Sequence, residues 1–128
     1  MSSTRSAQRL GDILVVDDDE GIRHVLNDIL TEEGYQVRLA ADGSEALVEI
    51  AKREPALMLL DILMPRVSGV EVLAQLSSAG QHFPIAVITA TPILAQDIKF
   101  GTLVTFIHKP FDLTAILNCV EQHVQRAQ

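Results

Sequence analysis

A chain of 128 residues that is 48% hydrophobic and 21% charged has the balance of one soluble globular domain with a single sizeable core. Its formal net charge of -7 excludes the broad basic face that nonspecific nucleic-acid binding requires. No apolar stretch approaches the ~18 residues of a membrane span. Cys119 stands alone and can form no internal disulfide, which fits a reducing compartment such as the cytoplasm.

Residues 1–11 are rich in Ser, Arg, Gln and Thr. They contain no apolar run that would mark a secretory signal, and read as a flexible arm before a domain spanning 12–126. Ile13 to Val16 is a short β-branched run, the first strand, ending in Asp17-Asp18-Asp19-Glu20. Ile22, Val25, Leu26, Ile29 and Leu30 follow at helical spacing and make one apolar stripe, closed by Gly34. Val37 and Leu39 alternate with polar neighbours in a half-buried second strand, Gln36 to Ala41. Asp42-Gly43-Ser44-Glu45 has the form of a capping box, in which Glu45 reaches back to the cap, and Ala46, Leu47 and Ile50 supply the face of the second helix.

Ala56 to Leu60 is a run of five apolar residues ending in Asp61, and Pro55 and Pro65 on either side leave no room for a helix. It is a strand buried on both faces that delivers a carboxylate where it should leave the sheet. Ile62 to Ser68 then form a proline-containing loop, and Gly69 opens a third helix with Val70, Leu73 and Ala74 inward. Pro84 introduces a fourth strand, Ile85 to Thr89. A fourth helix falls between Pro92 and Gly101, and a fifth strand runs from Thr105 to His108, closed by Lys109-Pro110. Asp112 caps a fifth helix whose stripe is Leu113, Ile116, Leu117, Val120 and Val124, with Cys119 facing the core. Strands that alternate with helices imply right-handed crossovers and a parallel sheet covered on both faces, a doubly wound α/β domain.

Parallel strands share a polarity, so Asp17, Asp18, Asp61, Thr89 and Lys109 fall along one sheet edge. In open α/β sheets the crevice at that edge binds ligands. Three carboxylates gathered there repel one another, and a hard divalent cation relieves the repulsion. Mg²⁺ suits such a site because it takes oxygen ligands, keeps several waters and leaves room for a phosphate. A hydroxyl from Thr89 and an ammonium from Lys109 complete a site suited to a phosphoryl group, for which positioning and charge stabilisation are most of the work. A carboxylate can itself be the nucleophile. Asp61, central and isolated, is the candidate acceptor.

At this point the residues resemble a known family. Ile13-Leu14-Val15-Val16-Asp17-Asp18-Asp19, Leu59-Leu60-Asp61-Ile62-Leu63-Met64-Pro65, Gly69, Ile88-Thr89-Ala90 and Lys109-Pro110-Phe111 together look like the receiver domain of two-component response regulators. The resemblance implies a flavodoxin-like fold with five parallel strands in the order 2-1-3-4-5. It implies phosphorylation of Asp61 by a histidine kinase or histidine phosphotransfer protein, with Mg²⁺ on Asp18, Asp61 and the backbone carbonyl of Leu63, and Asp17 acting largely through water. Thr89 and Lys109 would hold phosphoryl oxygens, Phe106 stands in the place of the switch aromatic, and Lys109-Pro110 is the candidate cis peptide. Such a domain is a phosphoacceptor switch rather than an enzyme acting on other substrates. Its partners would be the phosphodonor and a downstream target or output domain, with possible homodimerisation through the fourth helix, fifth strand and fifth helix. No output domain follows Arg126 in this chain, and neither nucleic acid nor membrane is expected as a direct partner.

The sequence also departs from the family. Thr89 and Lys109 stand closer together than is usual, the shortening falls within 90–101, and Thr91-Pro92 puts a proline just past the active-site threonine. These features bear on the output face, and the apolar Leu63 bears on the lifetime of the phosphoryl group. Two other readings use the same residues. A metal-dependent phosphatase of small phosphomonoesters would need a substrate pocket and an acid-base carboxylate where Leu63 stands. A degenerate receiver serving as a scaffold would bind no Mg²⁺ and accept no phosphate.

Overall fold

A computed structural model describes residues 11–61, 83–89, 104–108 and 113–124. It contains β1 (Asp12–Val16), α1 (Glu20–Glu32), β2 (Gln36–Ala40), α2 (Gly43–Lys52), β3 (Leu57–Asp61), β4 (Ile85–Thr89), β5 (Val104–His108) and α3 (Leu113–Val124). The strands form one five-stranded parallel sheet in the order β2-β1-β3-β4-β5. This is the flavodoxin-like order expected above. The expected loop 62–68 and the third and fourth helices lie outside the described residues, as do residues 1–10 of the expected arm 1–11 and the cap Asp112.

Side chains alternate across a strand, and here the alternation divides one core into two. Leu14, Val16, Met58, Leu60, Ile85 and Val87 face the side covered by Ala46 and Ile50 of α2. Ile13, Val15, Leu57, Leu59, Ala86 and Ile88 face the other side, covered by Leu26 and Leu30 of α1 and by Ile116, Val120 and Val124 of α3. All five residues of β3 are buried, because it sits mid-sheet with helices on both sides. This explains its unbroken apolar run. Cys119 is buried as expected.

Helix boundaries follow local chemistry. Asp19 caps α1 by accepting from the Ile22 amide at 3.1 Å. Gly34, at φ 100, takes the left-handed conformation just past the end of that helix. Asp42 caps α2 by accepting from the Glu45 amide at 2.9 Å. The reciprocal bond differs from the expected box, since Glu45 Oε1 accepts from the amide of Ala41 at 2.7 Å, one residue before the cap. Asp42 is extended at φ -157, and it is the Ala41 amide that meets Glu45.

Two residues assigned to helical stripes, Val25 and Leu113, and one assigned to the apolar side of a half-buried strand, Leu39, are open to solvent. Val25 is 44% exposed, and Leu39 and Leu113 are each 40% exposed. Leu39 belongs to β2, the outer strand of the sheet, which has a neighbour on one side only. Val25 and Leu113 instead line the same open hollow between α1 and α3. No helix among the described residues is long and apolar enough to cross a membrane.

Candidate functional site

The sheet reverses direction of growth between β1 and β3: β2 is added on one side of β1, and β3, β4 and β5 on the other. The two helices leaving β1 and β2 cover opposite faces, so the carboxyl ends of β1 and β3 border the crevice at the switch point. The register pairs Val16 with Leu60. The next residue on each strand is an aspartate, Asp17 on one side and Asp61 on the other.

Asp17 and Asp61 are both buried, at 1% and 3% exposure, while Asp18 is exposed. Carboxylate oxygens of Asp17, Asp18 and Asp61 lie within 4.8 Å of one another. Three oxygen anions so close, two of them withdrawn from water, are held together against their mutual repulsion. The donor set is entirely oxygen and carries high negative charge, with one member open to solvent. That is the chemistry of a hard-cation site such as one for Mg²⁺.

The turn carrying the first two acids is tied down on several sides. The Asp17 amide donates to the Ala40 carbonyl at 3.2 Å, fixing the end of β1 against β2. The Asp19 amide donates to Asp17 Oδ1 at 2.9 Å, which orients that carboxylate. Arg23, one turn into α1, donates from Nη1 to the Asp17 carbonyl oxygen at 2.6 Å. Neither Asp19 nor Arg23 stood out as a site residue in the sequence. Nothing in a helical stripe marks which polar residue will turn back toward the preceding loop.

The remaining site residues are placed by the backbone. Thr89 ends β4, opposite His108 of β5, one step beyond the pairing of Asp61 with Ile88. The hydroxyl-bearing residue therefore comes from the strand beside Asp61, at the same edge. Phe106 pairs with Val87, two residues before the end of β5. Leu63, Lys109 and Pro110 lie outside the described residues. Next to the acidic cluster, Asp19, Gly21, Ile22, Val25, Leu26 and Leu113 line an open, almost wholly apolar hollow of about 390 Å³.

A five-stranded doubly wound sheet with three carboxylates converging at its switch point defines a flavodoxin-like α/β domain with an acidic site. Within that class the family model of the response regulator receiver domain matches residues 13–121. The chain belongs to that family, the receiver domains of response regulators in two-component signalling. It is 42% identical over 107 residues to the response regulator MprA of Mycobacterium sp. (strain KMS), covering 82% of this chain and 46% of that one. The chain thus spans about half the length of the curated relatives it matches. Among solved structures it resembles the chemotaxis protein CheY4 of Vibrio cholerae, with a TM-score of 0.78, 30% identity, and 88% and 97% of the two chains covered. It also resembles the response regulator TrrA of Thermotoga maritima, solved in complex with Mg(2+)-BeF, with a TM-score of 0.75, 32% identity, and 87% and 96% covered.

Proposed function

We propose that this domain is a phosphoacceptor switch in which Asp61 receives a phosphoryl group from a histidine kinase or histidine phosphotransfer protein. The observation that carries the reading is the meeting of Asp17, Asp18 and Asp61 within 4.8 Å at the switch point of the sheet. Asp61 is the member carried by the central strand, buried and with its backbone paired to Ile88 of β4. A nucleophile so held loses little freedom on reaching the reactive geometry. Its carboxylate oxygen would attack phosphorus as the P–N bond to the donor imidazole breaks, the electron pair leaving with the ring nitrogen.

Asp17, Asp18, Asp61 and the carbonyl of Leu63 would hold Mg²⁺, Asp17 largely through water. Bound there, the ion would offset the charge of carboxylate and phosphoryl oxygens as they approach. Thr89 would donate its hydroxyl, and Lys109 its ammonium, to the phosphoryl oxygens. Phosphorylation adds roughly 1.5 to 2 negative charges and strong acceptors. New bonds from Thr89 and Lys109 would bias the loops between two arrangements, with Phe106 reporting the choice on the face of β5 and α3. The Lys109-Pro110 peptide, in the cis form, would aim the lysine. Beside the acids, the apolar hollow between α1 and α3 offers surface to a docking phosphodonor protein.

The domain would turn over no external substrate and would act in the cytoplasm on a downstream protein or output domain, or by pairing with a second copy through the face of the expected fourth helix, β5 and α3. The test is intact mass after incubation with acetyl phosphate and Mg²⁺. The expected result is a gain of one phosphoryl group, lost in Asp61→Asn and in EDTA. A gain that persists in Asp61→Asn would overturn the assignment of the acceptor.

A further inference from the structure

We propose that Arg23 is a positioning residue for the cation site, holding the Asp17–Asp18 peptide so that both carboxylates face the same point. The inference rests on the Mg²⁺ reading above and adds to it a residue outside the ligand set. The carbonyl that Arg23 grips at 2.6 Å is the oxygen of the peptide bond joining the two acids. A rotation of that peptide would swing Asp18 away from Asp61 while leaving Asp17 in place.

Other bonds fix the groups on either side of this peptide. The Asp17 amide is held by Ala40. The Asp19 amide is held by Asp17 Oδ1, and the Asp19 carboxylate is committed to the Ile22 amide. Among the described residues, no hydrogen bond holds the Asp18 carboxylate, which is exposed. Its position therefore follows from the backbone that carries it, and the Arg23 contact is what restrains that backbone from the helix side. Arg23 is itself well anchored, because its own amide donates to the Asp19 carbonyl at 3.0 Å. The residue spans the turn, with its main chain at one end and its guanidinium at the other.

A guanidinium beside an acidic cluster has a second, opposite consequence. Its fixed positive charge repels an incoming cation, so charge alone predicts tighter Mg²⁺ binding once it is removed. Positioning predicts weaker binding, since groups that orient metal ligands typically contribute 10- to 100-fold in affinity. The two accounts differ in sign.

The experiment is calorimetric titration of Mg²⁺ into the wild-type domain and into Arg23→Met, Arg23→Ala and Arg23→Lys, each below its melting temperature. Two neutral variants are used so that one that fails to fold leaves the other. The neutral variants are expected to weaken Mg²⁺ binding about tenfold, and Arg23→Lys, which keeps a charged donor of nearly the same reach, to recover most of that loss. A folded neutral variant that binds Mg²⁺ as tightly as wild type, or more tightly, overturns the proposal while leaving the site intact. A wild-type domain that binds no Mg²⁺ overturns the reading of the site and this inference with it.

Discussion

Arg38 grips Asp12 with two arms of its guanidinium, Nε to Oδ1 at 3.1 Å and Nη2 to Oδ2 at 2.7 Å. The pair joins the outer strand β2 to the first residue of β1. The same guanidinium also donates to the Glu49 carbonyl at 2.8 Å and the Arg53 carbonyl at 2.9 Å, at the end of α2. Both side chains are largely withdrawn from water, at 17% and 13% exposure. Bidentate pairs of this kind are among the stronger ionic contacts, and removing Arg38 leaves the largely buried Asp12 with only the exposed Arg53, whose Nε donates to Oδ2 at 3.1 Å. Arg38→Met is expected to destabilise the domain by about 2–3 kcal/mol in urea unfolding. A loss below about 0.5 kcal/mol would mean the fork behaves as an exposed surface pair.

Gly11 has the opposite character, since nothing can be added to it. Its φ is 130, a conformation other residues rarely adopt, and a Cβ there would collide with Cγ1 of Val124 near the end of α3. Its carbonyl meanwhile accepts from the Gln36 amide at 2.9 Å, so the backbone cannot simply move away. Gly11→Ala should cost about 2–4 kcal/mol through strain and overpacking together. Thermal unfolding of Gly11→Ala beside Gly11→Ala/Val124→Ala checks the cause. Truncating Val124 should recover the steric part and leave the backbone strain.

What could be read from the sequence depended on how local its cause was. The buried β3 declared itself in five consecutive apolar residues ending in an acid, because a strand covered on both faces needs no polar position. The cap at Asp42 is set by a bond to a residue three positions away, and the gathering of Asp17, Asp18 and Asp61 followed from strand polarity alone. Val25, Leu39 and Leu113 misled because periodicity gives a face without its width, and the rim of a stripe at a groove or outer strand is left open. The Arg38–Asp12 fork joins residues 26 apart. Nothing local distinguishes its arginine from one in water, and the hold of Arg23 on Asp17 was hidden in the same way.

Glu49 makes the Arg38 network sensitive to acid. Its hydrogen bonds from Lys52 and Arg38, and the charges of both, hold its carboxyl below the usual value, against a smaller opposing effect of burial. A carboxyl whose pKa is lower in the folded than in the unfolded chain stabilises the fold above the unfolded value. That contribution disappears as pH falls through the folded one. The stability advantage of wild type over Glu49→Gln should therefore be full at pH 7 and shrink below about pH 4. Urea midpoints measured between pH 7 and pH 3 would test it, and a gap that widened on acidification would refute the sign.

Burial pushes the Cys119 thiol up, so its reactive thiolate is suppressed in the native domain. Alkylation by iodoacetamide at pH 8 should be slow in buffer and rapid in urea, so that its rate reports opening of α3 from the sheet. Because the folded thiol holds its proton more tightly, its contribution to stability is complete below the ordinary thiol value of about 8.5. It declines as pH rises beyond that. Rapid native alkylation would show that α3 leaves the thiol open to solvent.

The acidic cluster should trade stability for cation binding, and Asp18 is the place to measure the trade. The three carboxylates lie within 4.8 Å of one another, and like charges this close repel, less strongly where solvent surrounds Asp18. Without a divalent cation, Asp18→Asn relieves that repulsion while keeping the shape of the side chain, so the variant should melt several degrees above wild type. Mg²⁺ binds the folded form and raises its stability in proportion to the logarithm of its concentration over Kd. Wild type should gain strongly, Asp18→Asn only weakly, and the order of melting temperatures should reverse at high Mg²⁺. If wild type is the more stable protein even in EDTA, Asp18 contributes to the fold by a contact that outweighs the repulsion. If the order never reverses, the carboxylate of Asp18 is not a ligand.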